Sequence, residues 1–177
     1  MLEFPIQVEK SALSYPMIVD VIVLAMEGRE SIESSHKRKH EQSFSKRQEF
    51  GDYVTSVLFA SQSSLAVVIL SLYYCQVLRN MLSPYMSYCN FRMFLTSLIL
   101  ASKFLEDHTY TNASWGKIGR LAIEEVNRLE KEFLHALGFR LYLDGREFQE
   151  WSKYWLSLKQ TNGLEWVDNR KVHGAEK

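Results

Sequence analysis

Cysteine, proline and glycine are all scarce in this chain: 2, 3 and 8 of 177 residues. Two cysteines, Cys75 and Cys89, are too few for a disulfide framework and their spacing fits no zinc pattern, so both read as reduced, mostly buried thiols. So few chain breakers, with no regular spacing of turn signals, argue against a β-sandwich or barrel and for long helices. An excess of either charge is lacking too, since Lys plus Arg and Asp plus Glu both total 21. That balance removes the whole-molecule basic footprint of a nucleic-acid binder and much of the pull towards an anionic membrane, and makes proteins the expected partners. The apolar run Met17 to Met26 carries Asp20 and has no basic flank or small-residue cleavage site, so it is neither a membrane span nor a signal segment. The expected setting is intracellular, nucleus and/or cytoplasm, where the sequon Asn112-Ala113-Ser114 has no glycan to receive.

What is present is a globular composition, 46% hydrophobic and 24% charged. A chain of this length buries roughly 70% of its unfolded surface and makes a core without disulfide or metal. Residues 1–15 show no period and form an arm; a helix starts at Pro16 and ends near Gly28. From Arg29 to Gln48 the chain is dense in Ser, Lys, Arg, His and Glu and reads as a polar loop. Phe50, Tyr53, Val54, Val57 and Leu58 then fall at helical spacing. Ser61 to Ser64 break that helix and cap the next, from Leu65 to Leu82, which is apolar nearly all round and belongs at the centre of a bundle. Ser83-Pro84 ends it, and a further helix runs from Asn90 to Glu106. A short segment around Trp115 to Ile118 leads to a long helix from Ile123 to Leu137, with Glu124 and Glu125 in its first turn, His135 in its last and Gly138 beyond. Asp144 caps a last helix striped by Phe148, Trp151, Trp155 and Leu158.

No enzyme motif interrupts this pattern. Phosphate-cradling glycine loops, a nucleophile elbow and a zinc-protease helix are all missing, and Gly116 and Gly119 are too close for a phosphate loop. Glu106-Asp107 and Glu124-Glu125 are neighbours that point apart on a helix. His36 and His40 have metal-ligand spacing, but they flank Lys37-Arg38-Lys39, so a solvated basic run is the plainer reading; the same run has the form of a nuclear import signal. The chain is expected to be no enzyme and to need no cofactor.

Two charges stand where apolar residues belong. Lys103 shares a face with Leu95 and Ile99, and Glu130 sits among Val126, Phe133 and Leu137. Burying either alone costs several kcal/mol, so each must be paired, hydrated or held for a partner. Three plain accounts are open: Lys103 snorkels from a helix end, Glu130 sits at the edge of its stripe, or the two form an internal ion pair. A fourth makes both part of an apolar surface that docks a partner helix, with the charges setting register.

The segments Leu100-Ala101-Ser102-Lys103-Phe104-Leu105-Glu106-Asp107, Tyr110-Thr111-Asn112 with Trp115-Gly116-Lys117-Ile118-Gly119, and Glu124 to Leu134 together resemble the cyclin box, most of all that of the fungal Pcl-type cyclins of the phosphate-responsive kinase system and the plant P/U-type cyclins. The resemblance covers Met17 to Leu143. It implies an all-α chain: an arm at 1–15, a helix and polar loop at 16–48, a five-helix box at 49–143, and a helix and tail at 144–177. In cyclins the lysine of the Ala-Ser-Lys motif and the glutamate of the fifth helix meet the kinase near its PSTAIRE-type helix. By motif match these are Lys103 and Glu130, with Phe104, Leu134, Phe139 and Leu141 as apolar neighbours. The implied function is regulatory: binding and allosteric activation of a cyclin-dependent kinase, with direction to its substrates. The Met-Arg-Ala-Ile-Leu motif of cell-cycle cyclins is absent from Asp52 to Val57, which speaks against substrate docking of that type, and too little chain follows Leu143 for a second repeat. DNA-binding relatives of the fold need a basic face that is missing here. The other reading is a helical adaptor with no kinase partner.

Overall fold

The apolar stretch after Ser64 has no polar face, and the fold puts it where it needs none. In a computed structural model, which describes residues 15–27, 37–81 and 89–157, the chain forms α1 (Tyr15–Glu27), α2 (Lys37–Ser61), α3 (Leu65–Met81), α4 (Asn90–Leu105), α5 (Asn112–Gly119), α6 (Ile123–Ala136) and α7 (Gly145–Ser157). Among the described residues there are seven helices and no strand, so the fold is all-α. No helix among them is long and apolar enough to cross a membrane.

The centre is the antiphase of the surface. α3 buries Val67 to Leu72 as an unbroken run, with Tyr74, Cys75 and Leu78, and its most extensive partner is α4, which buries Met93 to Ser102. Around this pair, α1 supplies Val19, Ile22, Val23 and Met26, α2 supplies Phe50, Val54, Val57 and Leu58, and α6 supplies Val126, Leu129 and Phe133. Edge-to-face rings fix the α2–α4 contact, with Phe50 and Phe91 at 5.3 Å and Tyr53 and Phe91 at 4.9 Å. Arg79 Nη1, on α3, donates to the carbonyl of Ala25 at 2.7 Å and so holds the last turn of α1. α7 begins where Asp144 Oδ1 accepts from the backbone N–H groups of Arg146 and Glu147 at 2.8 and 2.9 Å, and it lays Phe148 and Trp155 inward.

Two expectations are corrected. The polar stretch up to Gln48 is not a loop throughout, because α2 starts at Lys37 and extends twelve residues of it as helix ahead of Glu49. Lys, Arg, Glu and Gln are good helix formers, and a helix nucleated by the buried Phe50 to Leu58 stripe grows by one hydrogen bond per residue without packing. Its polarity reports a lack of burial, since residues 45–49 are all exposed, and Gln48 Nε2 donates along the helix to Asp52 Oδ1 at 3.1 Å. The thiols also differ: Cys75 is buried, but Cys89 is exposed at the N-cap of α4, where Arg92 Nη1 donates to its Sγ at 3.4 Å. The arm ahead of Tyr15, His36, Ser83-Pro84 and the tail after Ser157 lie outside the described residues, as does the side chain of His40.

Candidate functional site

Three elements meet at one corner of the bundle. α4 ends there with Lys103 and Phe104 in its last turn, α5 begins there with Asn112, and the middle of α6 passes with Asn127 and Glu130. What brings them together is close packing on the inner side. Trp115 of α5 is fully buried, and a Cβ at Gly119 would lie 2.1 Å from the Leu95 Cδ2 of α4. Only a residue without a side chain lets α5 approach α4 this closely. The Gly119 carbonyl in turn accepts from the hydroxyl of Tyr53 at 3.2 Å, tying α5 to α2. Burial pushes the Tyr53 hydroxyl up from 10.0 to about 12.

On the outer side the two misplaced charges form an ion pair, with Lys103 Nζ 2.5 Å from Glu130 Oε1. The side chains are 33% and 15% exposed, so the pair is partly desolvated yet reachable from solvent. Asn112 closes the arrangement into a ring. Its Oδ1 accepts from Lys103 Nζ at 2.7 Å, while its Nδ2 donates to Glu130 Oε2 at 2.6 Å and to Asn127 Oδ1 at 2.7 Å. Of the plain accounts of these charges, the internal pair is the one the structure realises. A separate polar stripe on α6 joins Glu125 to Arg92 at 2.6 Å and Arg128 to Glu132 at 2.7 Å.

The apolar candidates divide by exposure. Phe104 is 38% exposed and Phe139 63%, whereas Leu134 and Leu141 are half-buried against the core. Leu134 lies one turn beyond Glu130 on α6, and α6 then closes through Gly138 and Phe139, both left-handed with φ of 59° and 58°. The N–H of Phe139 donates to the Leu134 carbonyl at 2.9 Å, which winds the chain back over the helix end. A left-handed conformation disfavours any residue with a Cβ, so the fold holds the Phe139 ring out at a local cost, edge-on to His135 at 5.2 Å. The following strand-like segment is pinned by the Tyr74 hydroxyl, which donates to the Leu141 carbonyl at 2.7 Å. Tyr142, 62% exposed, adds an apolar side chain that sequence reasoning passed over. Asn112 and Asn127 were passed over too, because a polar residue at a helix start or on a polar helix face gives no periodicity signal. Among the described residues no group of three or more His, Cys, Asp and Glu could hold a metal ion.

The ion pair joins α4 to α6, with the partly exposed Phe104 next to it on α4 and Leu134 one turn along α6. The family model for cyclins matches residues 25–141, more than half of the chain, and spans every element of this corner. The chain belongs to the cyclin family. Cyclin-P3-1 of Oryza sativa subsp. japonica is 29% identical over 126 residues, covering 70% of this chain and 52% of that cyclin. Cyclin-U2-2 of Arabidopsis thaliana is 38% identical over 60 residues, 34% of this chain and 26% of that cyclin. PHO85 cyclin-7 of Saccharomyces cerevisiae (strain ATCC 204508 / S288c) is 32% identical over 68 residues, 36% of this chain and 24% of that cyclin. The chain thus spans between about a quarter and about half of the length of these relatives. The relatives are P/U-type plant cyclins and a fungal PHO85 cyclin, consistent with a Pcl-type cyclin box.

Proposed function

We propose that this cyclin is a non-catalytic regulatory subunit that binds and activates a cyclin-dependent kinase of the phosphate-system class and directs it to substrates, inside the cell, in nucleus and/or cytoplasm. The observation that supports the reading is the Lys103–Glu130 pair, next in the chain to the exposed Phe104 and carried on the helix that closes through the exposed Phe139. An extended or helical kinase segment laid across this corner covers the apolar side chains for affinity. The charges that remain reachable bond its backbone and set its register. Leu134 and Leu141 supply the floor of that surface. The name of PHO85 cyclin-7 supports the choice of kinase class.

The mechanism is allosteric. A kinase of this kind is active when the glutamate of its regulatory helix pairs with the lysine that positions ATP. A cyclin surface that binds the inward position of that helix better than the outward one shifts the equilibrium by the difference in affinity, and no bond is made or broken in this chain.

The test is activation of a purified PHO85-class kinase by the full chain, with complex formation measured by size exclusion. Lys103→Ala and Glu130→Ala are expected to weaken binding by about tenfold or more, since each leaves a partly desolvated charge without its ion partner. Both should remain folded, because a partly exposed pair contributes only about 1 kcal/mol to stability. Affinity unaltered in both variants would sink the assignment, and a helical adaptor without a kinase partner would take its place.

A further inference from the structure

Asn112 has every hydrogen-bonding group of its side chain engaged. A carboxamide has one acceptor oxygen and two N–H donors. All three are engaged: the oxygen accepts from Lys103, one N–H donates to Glu130 and the other to Asn127, at 2.7, 2.6 and 2.7 Å. The side chain is half-buried and belongs to the first residue of α5, a position fixed by Thr111, whose hydroxyl caps the helix by accepting from the N–H of Ser114 at 3.3 Å. The other end of α5 is locked by Gly119 against Leu95 and by Tyr53. Two long, flexible charged side chains are thus joined through a short one that cannot move.

We infer that Asn112 is the positioning residue of the docking pair, which sets the Lys103 ammonium and the Glu130 carboxylate in one geometry before a partner arrives. The inference rests on the kinase-docking reading for its functional meaning, and on the polar ring alone for its physical content. Lysine and glutamate each carry much rotamer freedom, and a partner that had to order them would bind more weakly by that entropy. Asn112 removes the need. It also engages the carboxylate at both ends, one oxygen bonded to the amide and the other to the ammonium. A planar amide supplies the acceptor and the donors on separate atoms, so that Lys103 and Glu130 are met at once. An aspartate has the same shape and suits the first turn of a helix, but it donates nothing and sets a second carboxylate against Glu130.

That difference separates positioning from mere support of the fold. Asn112→Asp and Asn112→Ala are compared with wild type in the full chain, alone and combined with Lys103→Met, by thermal unfolding, by affinity for a purified PHO85-class kinase, and by side-chain NMR of the lysine ammonium groups in the free chain. Asn112→Asp is expected to keep the wild-type unfolding temperature yet weaken kinase binding by about tenfold. In the Lys103→Met background either change at 112 should weaken binding by less than about twofold, since there is no ammonium left to place. In the free chain, Lys103 should be ordered in wild type and more mobile, towards the behaviour of exposed Lys131, in the alanine variant, which takes away its Asn112 acceptor. Wild-type affinity for Asn112→Asp, or a loss that persists in full without Lys103, would overturn the inference. A wild-type chain that binds no such kinase defeats the docking reading instead, and the NMR comparison then decides: an order of Lys103 that Asn112→Ala leaves unchanged also overturns the positioning role.

Discussion

The α3–α4 core and the Lys103 corner are built by opposite means from the same helix. Through Met93 to Ser102, α4 is buried whatever direction a side chain takes, and its neighbours are apolar. The very next residue, in the last turn of the same helix, is a lysine that reaches a glutamate across 2.5 Å. In the core, position follows from volume: many weak contacts with no single partner required. At the corner, position follows from valence, since Lys103, Asn112 and Glu130 each need the others' donors and acceptors. A region held by volume should fail by losing stability, and one held by valence should fail by losing function.

The largest effect belongs to the core. Phe94 is fully buried and meets Phe50 edge-on at 6.2 Å. Phe94→Ala should cost about 3–5 kcal/mol in urea unfolding. Whatever fraction stays folded should bind the kinase as wild type does. Gly119→Ala tests where the two regions join. The added methyl falls on Leu95, itself fully buried with nowhere to retreat, and about 1–3 kcal/mol of overpacking is expected. Because α5 also carries Asn112, this variant should lose affinity as well as stability. A pure stability loss would show that α5 adjusts without disturbing the ring.

How well each region could be read from sequence follows the same division. α3, α4 and α6 were legible to within a residue or two because burial writes itself as apolar runs and periods. The corner was legible only in negative, as Lys103 and Glu130 breaking their stripes, and it took the motif resemblance to propose a use for the breaks. Asn112 was illegible: its role depends on α4 and α6 converging across 9 and 18 residues of sequence, and no local pattern records that. The start of α2 at Lys37 was missed for the converse reason, since Lys37 to Gln48 is almost wholly polar and leaves no apolar period.

Phe139 sharpens the comparison because there the two kinds of failure should have opposite signs. Its φ of 58° is a conformation that glycine adopts freely and phenylalanine does not, and its ring is 63% exposed. Phe139→Gly relieves the strain but gives up unfolded-chain restriction and the contact with His135, so the unfolding free energy should stay within about 1 kcal/mol of wild type. Kinase affinity should fall by about tenfold through the lost aromatic anchor. Equal losses in both measurements would mean that the ring serves the fold.

The smallest effect is expected at high pH, and its sign can be worked out. Burial raises the Tyr53 hydroxyl to about 12 from 10.0 and pushes Tyr74 up as well, since each would have to ionise where its charge is poorly solvated. The buried Cys75 thiol rises from 9.0 to about 11 for the same reason. A group whose folded value is raised favours the folded state fully below its unfolded value, and that contribution disappears as pH climbs through the folded one. Stability should therefore be level through neutral pH and begin to fall above about 9, where the unfolded chain starts to release protons that the folded chain retains. Tyr53→Phe removes one of these ionisations together with the hydrogen bond to Gly119, at a cost of about 1 kcal/mol near neutrality. Its unfolding curve should then approach that of wild type between pH 10 and 12, whereas Phe139→Gly, which removes no ionisable group, should run parallel to wild type through that range.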